Sequence, residues 1–204
     1  FWFSAEDAVD YPAATISPSK SAGVGVKVTQ NIEYGNQLLL PADRDAAEAG
    51  TALHAILAMQ LLQGQATAAQ LQSVADDLLS GSGLDSLNTD VVLEKGDAFK
   101  SWLDEQWPEA QLYVEYPVSM VNELDQQLNG SIDLLVETDQ GWIVIDHKST
   151  STNKEQLPHV ASHYGGQLEA YRQALEAVTD KPVLGQWIHC MAMGIMLECV
   201  LSSV

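Results

Sequence analysis

The segment 142–148, with the sequence WIVIDHK, decides the expected fold. Four apolar residues lead to Asp146, and Lys148 follows two positions later. Successive side chains of a β-strand point to opposite faces, so Asp146 and Lys148 should share one face while His147 points away from them. An acid and a lysine at the end of an apolar strand are costly to bury unless they are used. The segment therefore predicts a buried strand that ends in chemically useful groups.

A second predicted strand, 127–137, precedes this segment, and a short turn joins the two. In a symmetric hairpin, Thr138 would pair with Gly141. Counting back from that pair in antiparallel register places Asp133 opposite Asp146, with Cβ atoms roughly 4.5–5.5 Å apart. Two carboxylates at that distance repel each other, and a divalent cation is the usual remedy. A three-residue loop with Gly141 in a left-handed bulge would instead shift the register by one.

The remaining pattern divides the chain into a helical first half and a β-rich second half. A helix is predicted from Asp43, with Gly64 as its stop, because apolar residues recur there at three-and-four spacing. Residues 1–16 are expected to be a linker or an irregular N-terminal segment, and 17–204 a single domain. Further predicted elements are a short strand of alternating valines over 24–28, helices over 68–79, 88–106 and 162–178, and strands over 112–121, 183–193 and 195–201.

Composition limits the class of protein. The 204 residues are 46% hydrophobic and 18% charged, which is typical of a folded domain with a sizeable core. No stretch of 18 uninterrupted apolar residues occurs, so no membrane span is predicted. The two cysteines, Cys190 and Cys199, are too few for a disulfide framework or for the four thiolates of an iron–sulfur cluster. We therefore expect a cytoplasmic protein with no membrane partner and no iron–sulfur cluster.

The charge of the chain is strongly negative. Nine basic residues face 28 acidic ones, which gives a formal net charge of -19. Nucleic-acid-binding proteins usually carry a basic surface, so this balance argues against tight binding of nucleic acid by the chain alone. Clustered carboxylates are nevertheless what a metal site requires, and bound divalent ions reverse the local electrostatic field.

The spacing of the acids and the lysine resembles a known signature. Asp133 precedes Asp146 by thirteen residues, and Lys148 completes an Asp-x-Lys triplet. This arrangement is similar to the Asp…(Asp/Glu)-x-Lys motif of the PD-(D/E)xK nucleases. The resemblance implies an α/β fold with a restriction-endonuclease-like core. In such a fold a mixed, mostly antiparallel sheet is flanked by helices, and the N-terminal half of this chain would be helical.

Three further stretches resemble the RecB-like branch of that superfamily, in the family's order. Gly50 and His54 match its Gly-x-x-x-His motif on the first long helix, where a glycine would let another backbone approach. Gln167 and Tyr171 match its Gln-x-x-x-Tyr motif on the helix that follows the catalytic strands. Glu115 lies in the first predicted strand of the second half, where members of the branch often carry Glu.

The resemblance implies a metal site. Asp133, Asp146 and the backbone carbonyl of His147 would hold Mg²⁺ or Mn²⁺, and His54 would complete the ligand shell. Lys148 would orient the attacking water and stabilise charge in the transition state. The non-catalytic alternative is that Asp146 and Lys148 form only a surface ion pair.

The other residues carry weaker expectations. Glu115 would help to position a second metal or a water, or would be a solvated strand residue. Gln167 and Tyr171 would contact substrate DNA or brace the site, and Tyr171 could equally be a packed core tyrosine.

The implied function is a metal-dependent DNA exonuclease domain that hydrolyses phosphodiester bonds in recombinational DNA repair. A start at Phe1 and the lack of a phosphate-binding loop predict a piece of a longer protein, partnered by a helicase that lies in the same chain or in another one. The alternative is a catalytically inactive nuclease-like module that binds DNA or a protein.

Overall fold

The computed structural model describes residues 13–21, 24–41, 45–62, 66–122 and 124–202. The strands are β1 (Thr15–Ile16), β2 (Gly25–Glu33), β3 (Gln111–Val121), β4 (Gln127–Glu137), β5 (Trp142–Lys148), β6 (Val183–Cys190) and β7 (Ile195–Ser202). The helices are α1 (Ala46–Leu61), α2 (Ala68–Gly81), α3 (Thr89–Gln106) and α4 (Leu157–Val178), with short 3-10 turns at Pro18–Lys20, Lys154–Gln156 and Met191–Met193.

The described strands form one mixed sheet in the order β1-β4-β5-β6-β7-β2, with β3 paired to β4. The pairs β1–β4 and β5–β6 are parallel, and the other four pairs are antiparallel. Helices cover both faces of the sheet, and α1, α2 and α3 all precede β3. The predicted α/β fold, a mostly antiparallel mixed sheet flanked by helices with a helical N-terminal half, is therefore confirmed.

Each face of the sheet builds its own apolar core. Leu134 and Ile145 point toward α1, α2 and α3, where they join Ile56 and Phe99. Neighbouring residues such as Val144 point to the opposite face and pack with apolar residues of α4. Because β4 and β5 contribute to both cores, the ends of these strands are held rigidly between two helical layers.

Polar side chains set the starts of the first three helices. Asp45 accepts hydrogen bonds from the N–H groups of Ala47 and Glu48 and so caps α1. A Thr67 capping box starts α2, and the Asn88 side chain caps α3. The predicted limits of the first helix, at positions 43 and 64, lie outside the described residues.

Several boundaries differ from those predicted. Helix α4 begins at Leu157 rather than at 162, because Pro158 fits the first turn of a helix. The predicted strand 183–193 ends at Cys190, after which a 3-10 turn leads to Gly194 in the left-handed conformation with φ 69°. Strand β2 is longer than the predicted 24–28. Within the predicted linker 1–16, Thr15–Ile16 pair with β4, and residues 1–12 lie outside the described part.

None of the helices in the described part of the chain is both long enough and apolar enough to span a lipid bilayer.

Candidate metal and catalytic site

The β4–β5 hairpin has the predicted symmetric register. The Thr138 N–H donates to the Gly141 carbonyl at 3.0 Å, and the antiparallel ladder runs to the pair Leu134–Ile145. One further step in this register places Asp133 opposite Asp146, so the alternative with a shifted register is wrong. At that step the Asp133 carboxylate accepts the backbone N–H of His147, with 2.6 Å between Oδ2 and N.

Asp146 is fully buried next to Lys148. The Lys148 Nζ lies 2.6 Å from Asp146 Oδ2, and the Asp146 side chain has no exposed surface. Neither carboxylate oxygen has a hydrogen-bond partner of good geometry among the described residues, and Oδ1 lacks an ion-pair partner as well. A buried carboxylate oxygen without a partner is costly, and a bound cation would satisfy it. Asp146 and Lys148 do form an ion pair, but its carboxylate is fully buried and its lysine is mostly buried, so it is not a surface ion pair.

A second group of ligand atoms lies beside this pair. One atom each from His54, Glu115 and Asp133 lie within 4.8 Å of one another. The His54 Nδ1 is 4.0 Å from Asp133 Oδ2, so α1 delivers an imidazole directly to the acid of β4. Asp146 is not part of this close trio, and its Oδ2 lies beside Lys148 instead. The nitrogen and oxygen donors suit a hard divalent ion such as Mg²⁺ or Mn²⁺.

Glu115 reaches the site from a strained backbone. Its neighbours Val114 and Tyr116 pair with Leu134 and Ile132, but Glu115 itself makes no ladder pair and has a φ of 51°. A positive φ is uncommon for residues other than glycine and costs on the order of 1–3 kcal/mol. The Ser131 hydroxyl donates to the Glu115 carboxylate at 3.1 Å. Strain of this kind is concentrated at functional sites in proteins, which favours the predicted site role over that of a solvated strand residue.

The side chain and the backbone N–H of His147 have different partners. The imidazole points to the face opposite Asp146, as predicted, and its Nδ1 lies 2.9 Å from Nδ1 of His189. The backbone N–H remains at the site, where it binds Asp133.

Gln167 and Tyr171 lie one turn apart on α4 and form a hydrogen-bonded series. The Lys148 Nζ donates to Gln167 Oε1 at 3.3 Å, and Gln167 Nε2 donates to the Tyr171 hydroxyl at 3.0 Å. The Tyr171 hydroxyl donates in turn to the Ser131 carbonyl at 2.5 Å. Tyr171 is only 3% exposed, so its position matches the predicted bracing role better than a contact with substrate.

Burial dominates the electrostatics of the acids. It raises the pKa of Asp133 and of Asp146 to about 6, although the nearby Lys148 ammonium acts in the opposite direction. Burial also lowers the pKa of His54, which keeps its imidazole neutral and able to donate a lone pair. An added cation would favour the ionised carboxylates, so the site as built prefers either a proton or a metal.

Sequence reasoning missed Tyr164. The Lys148 Nζ lies 4.3 Å from the centre of the Tyr164 ring, a distance at which a cation–π interaction is favourable. Tyr164 lies three residues before Gln167, so helical spacing alone could have placed it on the same face of α4.

The site opens into a cleft of about 620 Å³. Hydroxyl groups from α1 and from the segment after β5 line the cleft, namely Thr51, Ser149, Thr150 and Ser151. A Cβ atom at Gly50 would lie 2.9 Å from the Ser149 Oγ. The absence of a side chain at Gly50 therefore allows α1 to approach the segment after β5. The atom that lies close to Gly50 belongs to the Ser149 side chain, whereas a backbone contact was expected.

Comparison with known proteins agrees with this geometry. The family model described as the PD-(D/E)XK nuclease superfamily matches residues 31–195. One similar protein, from Levilactobacillus brevis, is named as the A-type component of an ATP-dependent helicase/nuclease. It is 27% identical in an alignment of 172 positions that covers 73% of this chain and 13% of that protein. A protein of the same name from Oceanobacillus iheyensis is 24% identical in an alignment of 230 positions, gaps included, that covers 92% of this chain and 18% of that protein.

The chain thus spans less than a fifth of the length of these relatives. The family match itself covers most of the chain, including β3 to β6 and both helices that supply predicted site residues. The chain therefore belongs to the PD-(D/E)XK nuclease superfamily.

Proposed function

We propose that this chain is a divalent-metal-dependent DNA exonuclease domain that hydrolyses phosphodiester bonds within a larger helicase–nuclease. The observation that carries the proposal is the buried carboxylate of Asp146, whose two oxygens lack hydrogen-bond partners among the described residues. It lies next to one lysine and beside the trio of His54, Glu115 and Asp133. The order and spacing of these residues, in a chain of a nuclease superfamily, support the same assignment.

The ion would be held by Asp133, Asp146, the His147 carbonyl and His54. When bound, Mg²⁺ or Mn²⁺ lowers the pKa of a coordinated water and polarises the scissile phosphate. The orphaned Oδ1 of Asp146 gives the fit an independent basis, because this atom lacks any donor among the described residues.

The remaining side chains would act on the substrate and on the attacking water. Lys148, held by Asp146 and Gln167, would orient the water and stabilise negative charge that develops on the phosphate. Glu115, which is exposed at the site, would accept a hydrogen bond from a water or support a second ion.

The cations of the chain support a requirement for a larger parent protein. Among the described lysines and arginines, five are neutralised by acids of the same chain, namely Lys100, Lys148, Lys154, Arg172 and Lys181. Few positive charges remain to hold a DNA backbone, so the grip on DNA would come from a helicase in the same or a partner chain. The matched relatives are named as components of helicase/nucleases, which agrees with such a parent.

End-labelled linear DNA provides the direct test. With Mn²⁺ or Mg²⁺ the chain should shorten the DNA, and EDTA should stop the reaction. Asp146→Asn should lower the rate by about 10²–10³-fold, the usual loss when a group that stabilises the transition state is removed. Asp139→Asn, in the exposed β4–β5 turn, makes the same chemical change away from the site and should leave the rate unchanged.

Two outcomes would overturn the assignment. Cleavage by the Asp146→Asn variant at the wild-type rate would show that the site is elsewhere. DNA binding without cleavage under all metal conditions, also when DNA is saturating, would favour the inactive nuclease-like module.

A further inference from the structure

Three polar side chains from distant parts of the chain form a buried series behind the site, on the face opposite Asp146. The Tyr34 hydroxyl lies 2.6 Å from Nε2 of His189, and Nδ1 of His189 lies 2.9 Å from Nδ1 of His147. Phe99 stacks on the His189 ring with 4.0 Å between ring centres and an 11° angle between planes. We name Tyr34, His189 and His147 the neutral relay.

The proton count along the neutral relay fixes its direction. Among the described residues, His189 Nε2 is the sole hydrogen-bond partner of the Tyr34 hydroxyl. If Tyr34 donates, Nε2 of His189 is bare, and a neutral His189 carries its proton on Nδ1. That proton is then donated to Nδ1 of His147, which leaves the His147 proton on Nε2. The reverse direction would leave the Tyr34 proton without an acceptor in the described part of the chain.

Burial raises the pKa of Tyr34, so its hydroxyl keeps its proton. The geometry alone requires one bare nitrogen, because two Nδ1 atoms at 2.9 Å can share only one proton.

The neutral relay ends on the peptide that organises the site. His147 stands between Asp146 and Lys148 in β5, and its N–H binds Asp133 Oδ2 at 2.6 Å. His147 also lines the cleft. Rotation of this imidazole would disturb the adjacent peptide and with it the two carboxylates.

We propose that Tyr34 and His189 are positioning residues that hold His147 in one rotamer and one tautomer. They thereby fix the peptide between Asp146 and Lys148. The tautomer assignment is independent of the proposed nuclease function, whereas the effect on the metal site rests on it.

Long-range ¹H–¹⁵N NMR correlation spectra of the metal-free chain test the tautomers directly. His189 should show the Nδ1–H tautomer, which is the less common one in water, and His147 the Nε2–H tautomer. Single His→Gln variants at exposed positions 159 and 163 would assign the remaining signals. An Nε2–H tautomer for His189 in the wild-type chain would overturn the proposal.

A pair of matched tyrosine variants tests the positioning role. Tyr34→Phe removes one hydroxyl and keeps the ring that packs against Phe99. Tyr113→Phe removes a hydroxyl that binds Glu137 at 2.6 Å near the other end of the sheet. Mn²⁺ affinity, measured by titration calorimetry, should fall on the order of tenfold in Tyr34→Phe, as it does when supporting partners of metal ligands are lost. It should not change in Tyr113→Phe.

The readouts separate this proposal from the proposed function. Unchanged Mn²⁺ affinity in Tyr34→Phe, or an equal loss in Tyr113→Phe, would overturn the positioning role even if the chain cleaves DNA. A wild-type chain that binds no Mn²⁺ would overturn both the positioning role and the metal-dependent function. The predicted tautomers could still be observed in that case, since they do not depend on metal. Circular dichroism spectra and thermal unfolding should show that both variants are folded.

Discussion

Two hydrogen-bonded series meet at the end of β5, one on each face of the sheet, and they differ in charge. On the α4 face, Asp146, Lys148, Gln167 and Tyr171 form what we name the charged relay. Its inner end is an ion pair whose carboxylate is fully buried, and its lysine remains 18% exposed toward the cleft. On the other face, the neutral relay contains no ionised group, and its two imidazoles are buried.

The two faces therefore have different roles at the site: one supplies charge and the other fixes the position of the backbone. The charged relay holds a carboxylate oxygen without a partner, so removal of a neighbouring charge should change stability, metal binding and catalysis together. In the neutral relay, hydrogen bonds join Tyr34 to His189 and His189 to His147. Because these groups carry no charge, the relay can influence the metal site only by fixing the position of His147. Variants on the two faces should therefore have effects of different size and kind.

The largest effect is expected from loss of the lysine. Lys148→Met keeps the length of the side chain but leaves Asp146 buried without its cation. Removal of one partner of a buried pair costs about 3–5 kcal/mol. The free energy of unfolding in urea, measured at pH 8 with EDTA, should fall by that amount. Lys100→Met removes the exposed ion pair with Asp104 and should cost less than about 1 kcal/mol.

Added Mn²⁺ should restore part of the stability of Lys148→Met, because the ion supplies the missing positive charge. DNA cleavage should nevertheless remain low, since the group that orients the water is absent. Equal destabilisation by the two lysine variants would contradict a buried charge at Asp146.

A smaller effect with a distinct pH profile is expected from Asp146→Asn in EDTA. The folded-state pKa of Asp146 is raised to about 6, against roughly 4 in an unfolded chain. The stabilising contribution of this carboxyl is therefore present below about pH 4 and is lost as pH rises through 6. Two pKa units correspond to about 2–3 kcal/mol. The Asn variant should gain that much relative to wild type between pH 4 and pH 7.

Urea unfolding at several pH values measures this difference, with Asp139→Asn as the control for a general charge effect. A difference between wild type and Asp146→Asn that does not vary with pH would show that Asp146 has an ordinary pKa in the folded chain. Saturating Mn²⁺ should reverse the trend, because the metal stabilises the ionised carboxylate that the wild type alone possesses.

The charged face was largely predictable from sequence because its parts are local. The hairpin turn fixes the register between Asp133 and Asp146, and helical spacing places Gln167 and Tyr171 on one face of α4. These relations depend on repeat geometry within one or two elements. The ion pair of Asp146 with Lys148 follows from the alternation of a single strand.

The neutral face was not predictable because its parts are distant in sequence. Tyr34 and His189 are 155 positions apart and meet because β2 and β6 lie on either side of β7 in the sheet. Nothing in the spacing of His189 identified a partner for it. The left-handed backbone of Glu115 is likewise a product of tertiary structure, since glutamate has no intrinsic preference for that conformation.

The smallest expected effect compares the same chemical change on both faces. Tyr171→Phe removes the hydroxyl that donates to the Ser131 carbonyl and accepts from Gln167. One neutral hydrogen bond contributes about 1 kcal/mol, so the free energy of unfolding should fall by about that much. Mn²⁺ affinity should stay close to the wild-type value, because Lys148 and Asp146 keep their direct contact.

Tyr34→Phe should show the opposite balance, with a clear loss of Mn²⁺ affinity, because its hydroxyl fixes the polarity of the neutral relay. Calorimetric titration of both variants beside urea unfolding gives the comparison within one experiment. If Tyr171→Phe weakened Mn²⁺ binding as much as Tyr34→Phe, the two faces would be equivalent. In that case the positioning of His147 and the supply of charge could not be assigned to opposite faces of β5.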